Sequence, residues 1–404
     1  MAAKKPATSS VIYQRAAAAI LKSTKKKPVE KHKGALPSVP SGSFVIDDLI
    51  GGAPASDGKP VCPGYPRRRI TEVFGAESSG KTTAALEAIA EVQKRGEVAM
   101  FLDFEHALHH EYAEKVGVKF DNKTLMVIEP DNLEEGIKMI YVGIMTGMSL
   151  IVVDSVASMV TKDEMEKGID KASSIGDRAR AFAKFLPRIV VWLTKEITEN
   201  PQGTALVFIN QTRALISTSG GGYGGGGEDN TTGGKALKFF AYLRLRFTRI
   251  RSDVWKKKDR ISGKEKSYPY GNHTQVKVIK SKIDGKQGYT ADIFIRFGLG
   301  IDDLHSLIEG GINNKIISKN GASLGFNGQT FRGKEALRTY LSKDEKSTQE
   351  LRKKLLEVLK TEIAPPEEGI DDDDIMMADF APDSDGDAEV DAIEQEVEIE
   401  TPEG

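Results

Sequence analysis

The residues Gly75 to Thr82 read G-A-E-S-S-G-K-T, a Gly-x4-Gly-Lys-Thr spacing whose chemistry is phosphate binding. Glycine at both ends lets backbone N–H groups turn inward around an anion. Lys81 can reach the β- and γ-phosphates of a nucleotide, and the Thr82 hydroxyl can sit on Mg²⁺. Such a loop needs a strand before it and a helix after it, because the helix N-terminus adds positive charge. Both flanks are present. Ile70 to Phe74 is a short apolar, β-rich run, and TAALEAIAEVQKRG has the apolar spacing of an amphipathic helix. A plain Gly-Ser turn explains neither the full spacing nor its flanks. The expectation is a nucleoside triphosphate held by Gly75, Ala76, Glu77, Ser78, Ser79, Gly80, Lys81, Thr82 and Thr83.

Three more near-continuous apolar runs follow, at 98–105, 149–156 and 203–211, with helical stretches between them. That alternation predicts an α/β fold whose mainly parallel central sheet is covered by helices on both faces. Ligands of such sheets collect at the carboxyl ends of the strands. There the chain places Glu105, Asp154 and Gln211. Asp154, ending LIVVD, is the expected second Mg²⁺ partner, acting through water or Thr82. Glu105 can orient or deprotonate an attacking water, or else serve as a structural cap or ion-pair partner. Gln211 is either a sensor of the γ-phosphate or an ordinary strand-end amide. His106, His109 and His110 lack the spacing and acidic company of a metal site and are read as surface or adenine-side residues.

With 404 residues the chain calls for a main domain and smaller ones. No run is long enough to span a bilayer, and the lone Cys62 forms no internal disulfide, so a reducing cytoplasm is the expected setting. The net charge of −2 hides an asymmetry. From Glu367 onward there are 17 Asp and Glu and no Lys or Arg, which leaves 57 basic against 42 acidic residues before it. A body of about +15 with an acidic tail points to a polyanion partner and an internal competitor for it, unless the tail only aids solubility.

The N-terminal region carries one helical candidate, Ser10 to Lys22, too short to be stable alone, and then a basic linker. SGSFVIDDLIGGA reads as a turn and an apolar segment, and Gly51 to Pro66 as a surface loop. Ala179 to Glu199 is a helix candidate interrupted by Pro187. Directly after the run ending at Gln211, residues 212–234 are glycine-rich, either a flexible linker or a functional loop. Ala241 to Arg251 and Thr274 to Lys282 are strand candidates with KKKDRISGKEK between them. Leu304 to Lys360 reads as a small helical domain, and the chain from Ala364 onward as disordered.

GAESSGKTT, FLDFEHAL with YAEKVGV, LIVVDSVAS, VFINQTR, TTGGKALKFFAYLRLRF and VKVIKSKI stand in the order seen in the RecA recombinase family, which the chain resembles from about Ser38 to Lys360. The GLGID and GINNKIISKNGA segments fit the same pattern. The resemblance implies a P-loop ATPase core at 38–298, an N-terminal helix and linker at 1–37 that contacts a neighbouring subunit, a small α+β domain at 299–362 and an acidic tail at 363–404. It implies a DNA-dependent ATPase that uses ATP and Mg²⁺ and forms a helical filament on single-stranded DNA. Such a filament pairs with homologous double-stranded DNA in recombination, repair and the SOS response to DNA damage, assisted by single-strand-binding and loader proteins. Glu105 matches the catalytic glutamate, Gln211 the γ-phosphate sensor and Tyr112 a tyrosine beside adenine. Lys280 and Lys282 match two lysines that reach ATP across the subunit boundary. DNA-binding loops are implied near 167–180 and 212–232. Ile175 and Ile216 fall on residues that wedge between base triplets, and Arg178, Arg180, Arg213, Gly233 and Gly234 on phosphate contacts. Tyr223 is the one aromatic of the second loop.

The chain also departs from the family pattern. Its second loop is longer and richer in glycine, Pro187 stands where a basic DNA contact is common, and Gln275 replaces a basic residue of the duplex-capturing site. The inserted cluster Arg251 to Lys266 is a candidate substitute. Two other functions fit the ATPase motifs: a ring-forming helicase motor, and a mediator that binds ATP without hydrolysing it. The intact Lys81, Glu105 and Asp154 disfavour the second, and the two apolar loop residues the first.

Overall fold

In the computed structural model the described residues are 9–24, 35–51, 61–166, 177–212, 234–258, 265–283 and 286–363. The described residues divide into two units, one up to Leu355 and one from Leu356. The chain opens with α1 (Ser9–Thr24), β1 (Ser38–Val39), α2 (Phe44–Gly51) and β2 (Tyr65–Pro66). The motif strand and helix are β3 (Arg69–Gly75) and α3 (Lys81–Lys94). There follow β4 (Ala99–Asp103), α4 (His110–Val116), β5 (Leu125–Ile128), α5 (Leu133–Met145), β6 (Leu150–Asp154) and α6 (Lys162–Glu166). Next come α7 (Asp177–Leu193), β7 (Ala205–Gln211), α8 (Gly234–Phe240), β8 (Leu243–Lys258), β9 (Glu265–Ser281), β10 (Thr290–Arg296) and β11 (Gly300–Ile301). The chain continues through α9 (Asp303–Asn313), β12 (Ser318–Asn320), β13 (Ser323–Phe326), β14 (Gln329–Arg332), α10 (Lys334–Lys343) and α11 (Glu345–Ile363).

One nine-stranded sheet organises the larger unit, in the order β11-β10-β9-β8-β3-β7-β6-β4-β5. From β8 to β5 every neighbouring pair is parallel, and β9, β10 and β11 add an antiparallel flank. The central parallel strands are buried on both faces, and every residue of β4 and β6 is buried. That explains their unbroken apolar runs. One core forms around α3, where Ala84, Ala85, Ala88, Ile89 and Val92 meet Val73, Phe101 and Val207. On the other, α5 and α7 supply Leu133, Ile137, Ile140, Phe182, Leu186 and Ile189 against Met100, Ile151, Val153 and Phe208. Each fully buried Leu or Phe contributes about 1.5–3 kcal/mol, which ties the helices to the sheet. A third core joins Leu307, Ile317, Leu324, Phe326, Leu337, Leu341 and Leu351.

Several elements differ from the sequence expectation. The α7 helix starts two residues earlier, ends at Leu193, and runs through Pro187 without a break. Pro187 is exposed, a position where solvent can satisfy the carbonyl that a proline's missing N–H leaves free. The segment expected as a surface loop ends in burial: Cys62 and Tyr65 are inaccessible and β2 pairs with β1. Neither β5 nor β10 is evident from residue pattern, and the three-stranded β12-β13-β14 sheet makes the C-terminal region α+β, as the resemblance implies, where the residue pattern alone reads as helical. The β8 and β9 strands are longer than expected and pair as far as Lys258 with Glu265. The acidic tail lies outside the described residues, and among these no helix is long and apolar enough to cross a membrane.

Candidate active site

Strand register decides which side chains share the sheet edge. Gly75, last in β3, is level with Gln211 of β7 on one side and Phe247 of β8 on the other. Asp103, last in β4, is level with Asp154 of β6. The phosphate loop, Glu105, Asp154 and Gln211 therefore emerge together at the carboxyl end of the sheet.

The loop's glycines are required by space and torsion. At Gly75 a Cβ would stand 2.1 Å from the carbonyl oxygen of Phe247. Gly80 has φ +94°, and a Cβ there would meet Ile295 Cδ1 at 2.0 Å. Ser78 also adopts the left-handed region, with φ +58°. Lys81 folds back, and its Nζ donates to Ala76 O at 2.7 Å. Burial pushes its ammonium below the usual lysine value, against the opposing pull of Asp154, Glu105 and Glu77.

Thr82 Oγ1 donates to Asp154 Oδ2 at 2.7 Å. Burial lifts the Asp154 carboxyl to about 6, against that hydrogen bond and with Glu105 and Asp103 adding repulsion. Asp103 shapes the turn that presents Glu105: its carboxylate accepts from Glu105 N at 3.1 Å and from Ala107 N and Leu108 N at 3.0 Å each. Glu105 Oε1 accepts from Gln211 Nε2 at 2.8 Å and also from the Ser155 hydroxyl. The peptide bond between Asp154 and Ser155 is cis. The Tyr112 hydroxyl lies 2.8 Å from Thr83 Oγ1, which brings α4 beside the start of α3.

These residues suit a magnesium nucleotide. Ser79 Oγ is buried with no partner among the described residues, backbone N–H groups line the loop, and Thr82 and Asp154 offer two hard oxygen ligands. A cation there would hold Asp154 ionised, and the bound phosphates would draw Lys81 off Ala76.

The three histidines have other work. His106 Nδ1 is 3.1 Å from Glu129, His109 Nδ1 accepts from Tyr112 N to cap α4, and His110 stacks on Phe120. Lys280 Nζ donates to the carbonyls that end α8, while Lys282 is exposed. Arg178 bonds Glu164 and Ala157 O, at 3.2 and 3.1 Å, and Arg180 is exposed on α7. Gly234 opens α8 with φ +69°. Ile175, Arg213, Ile216, Tyr223 and Gly233 lie outside the described residues.

Sequence reading missed Asp103 and Ser155, although each stands beside a residue it singled out. It also missed the buried set behind the loop, where Glu72 accepts from Asn210 Nδ2 at 2.9 Å and from Arg244 Nε at 2.6 Å. Nothing local marks that set, since its members come from three strands. Between the loop and β8 lies a cavity of about 430 Å³, lined by Glu77, Thr212, Arg246 and Arg249 among others.

A family model described as the RecA N-terminal domain matches residues 17–302. The chain is 35% identical over 346 residues to Protein RecA of Staphylococcus aureus strain JH9, covering 85% of this chain and 87% of that protein. Protein RecA of strain Newman matches to the same extent. Kinship of that length, on a sheet that carries the phosphate loop level with Gln211, places the chain in the RecA family.

Proposed function

We propose that this chain is a DNA-dependent ATPase that assembles as a helical filament on single-stranded DNA, pairs it with homologous double-stranded DNA and exchanges strands. The observation that carries the reading is the hydrogen bond from Gln211 to Glu105, made one residue before the glycine-rich segment begins at Thr212. A side chain that contacts the candidate base and also borders that segment is placed to link hydrolysis to DNA.

In this reading, Lys81 and the loop N–H groups bind the ATP phosphates, and Thr82 and Asp154 hold Mg²⁺. When bound, that ion neutralises charge on the phosphate oxygens. Glu105 orients the attacking water and accepts its proton, and Gln211 turns to the γ-phosphate. Tyr112 borders the base. Lys280 and Lys282 serve the ATP of the adjoining subunit, so turnover needs assembly. Ile175 and Ile216 separate base triplets, while Arg178, Arg180, Arg213, Gly233 and Gly234 meet phosphates without reading sequence, and Tyr223 offers a stacking face. The domains are those implied by the resemblance: 1–37 for subunit contact, 38–298 for the core, 299–362 for the small domain and 363–404 for the tail. The setting is the cytoplasm, where single-strand-binding and loader proteins govern assembly. Electron microscopy with single-stranded DNA and a slowly hydrolysed ATP analogue tests the reading, alongside ATP turnover with and without that DNA. Closed rings, or turnover indifferent to DNA, would refute it.

A further inference from the structure

We infer that Ser155 is a positioning residue for hydrolysis, one that holds the Glu105 carboxylate in place when Gln211 turns away. The inference rests on the proposed role of Glu105 as the base. Ser155 is fully buried, and its Oγ donates to Glu105 Oε1. Gln211 Nε2 donates to the same oxygen at 2.8 Å. Glu105 is otherwise exposed, and Asp103 fixes its backbone N–H but not its carboxylate. A free glutamate side chain keeps its rotamer freedom, so a base needs a fixed partner to stay aimed.

The two donors are not equivalent. Gln211 ends its strand and leads directly into the glycine-rich segment. Ser155 is anchored on both sides. Before it, Phe104 N donates to Asp154 O at 2.7 Å, which locks the end of β4 to the end of β6. After it, Ser158 N donates to Ser155 O at 3.1 Å and closes a short turn over Val156 to Ser158. If Gln211 leaves for a phosphate, the serine hydroxyl still orients Oε1, and Oε2 is left to take the proton of the water. The same segment then sets both reacting partners, because Asp154 meets Thr82 and Ser155 meets Glu105.

The test uses the full-length protein, single-stranded DNA and ATP, with nucleotide affinity read from a fluorescent ATP analogue. Ser155→Ala should lower kcat by about 10- to 100-fold, while KM and analogue affinity stay within about twofold. In a Glu105→Gln background the same change should cost nothing further, because the group it orients is gone. Unchanged kcat in Ser155→Ala overturns the inference. So does an equal additional loss in the Glu105→Gln background, or a rise in KM with kcat unchanged, since either puts the serine's effect elsewhere. If Glu105→Gln itself turns over ATP at the full rate, the fault lies with the assignment of Glu105 as the base, and the inference falls with it.

Discussion

Lys280 donates from Nζ to the carbonyl oxygen of Phe239 at 2.8 Å, and to that of Lys238 at the same distance. The ammonium thus closes the C-terminal end of α8, where the helix dipole favours a cation. It also stands 5.9 Å from the Phe239 ring, whose residue is 71% exposed. Burial, with Lys282 and Arg244 adding repulsion, pushes this lysine below its usual value. The residue proposed to serve a neighbour's ATP is therefore occupied within its own subunit, on the helix that follows the glycine-rich segment. Lys280→Ala should remove both roles. ATP turnover on single-stranded DNA should fall by about 10²-fold or more, as for a lost transition-state donor. The thermal midpoint should drop by no more than the loss of a cap worth about 0.3–1 kcal/mol. Steady-state ATPase and thermal melts on one preparation separate the two effects.

Gln211 bridges Glu105 and the start of the glycine-rich segment. Gln211→Ala should uncouple DNA affinity from nucleotide, so that the dissociation constant for single-stranded DNA differs less than about twofold between an ATP analogue and ADP. Fluorescence anisotropy with a labelled oligonucleotide measures this. A retained nucleotide effect would place the switch elsewhere.

Gly80 meets two demands at once. Gly80→Ala should cost about 1–2 kcal/mol for the left-handed backbone and more for the clash with Ile295 Cδ1, 2.0 Å from the added Cβ. Ile295→Val deletes that methyl. The double variant should recover the steric part in urea denaturation and keep the backbone part. Full additivity of the two changes would show that the clash is absent.

Three half-buried carboxylates sit where the core meets α2 and α9. Burial raises Asp47 to about 7, Glu87 to about 7 and Asp303 to about 6. Their folded-state values exceed the unfolded ones, so between about pH 4 and 7 the native protein holds more protons than the unfolded chain. Stability from these groups is greatest at the acid end of that window and declines as pH rises through 7. Glu87→Gln keeps the acceptor that Ile301 N uses at 3.0 Å and removes the charge. It should stabilise the protein by about 1–3 kcal/mol at pH 8 and by little near pH 5. Urea melts at the two pH values decide it, and an equal effect at both would contradict it.

The β8–β9 hairpin extends to the pair Lys258–Glu265, and its outer rungs carry Lys256, Lys257 and Lys258. Reversing these three charges to Glu should weaken uptake of duplex DNA and leave single-strand affinity within about twofold. Unchanged strand exchange would exclude the hairpin from duplex capture.

Much of the site was legible in the chain itself. The Gly-x4-Gly-Lys-Thr spacing, the unbroken apolar runs of β4, β6 and β7, and the polar residues that end them are local features. A buried parallel strand cannot be polar, and a phosphate cradle cannot be built without glycine at Gly75 and Gly80. Register is different, because it follows from pairing between distant segments. Only the folded sheet decided that Asp103 lies level with Asp154, bringing Ser155 onto Glu105, and that Gly75 lies level with Gln211. The same holds for Lys280 on the end of α8, for the Glu72–Asn210–Arg244 set, and for the burial of Cys62 and Tyr65 in a stretch that reads as a loop. The sequence by itself determined which groups can do the chemistry. The tertiary structure decided which of them touch, since contacts between strands far apart in the chain leave no periodicity in either strand.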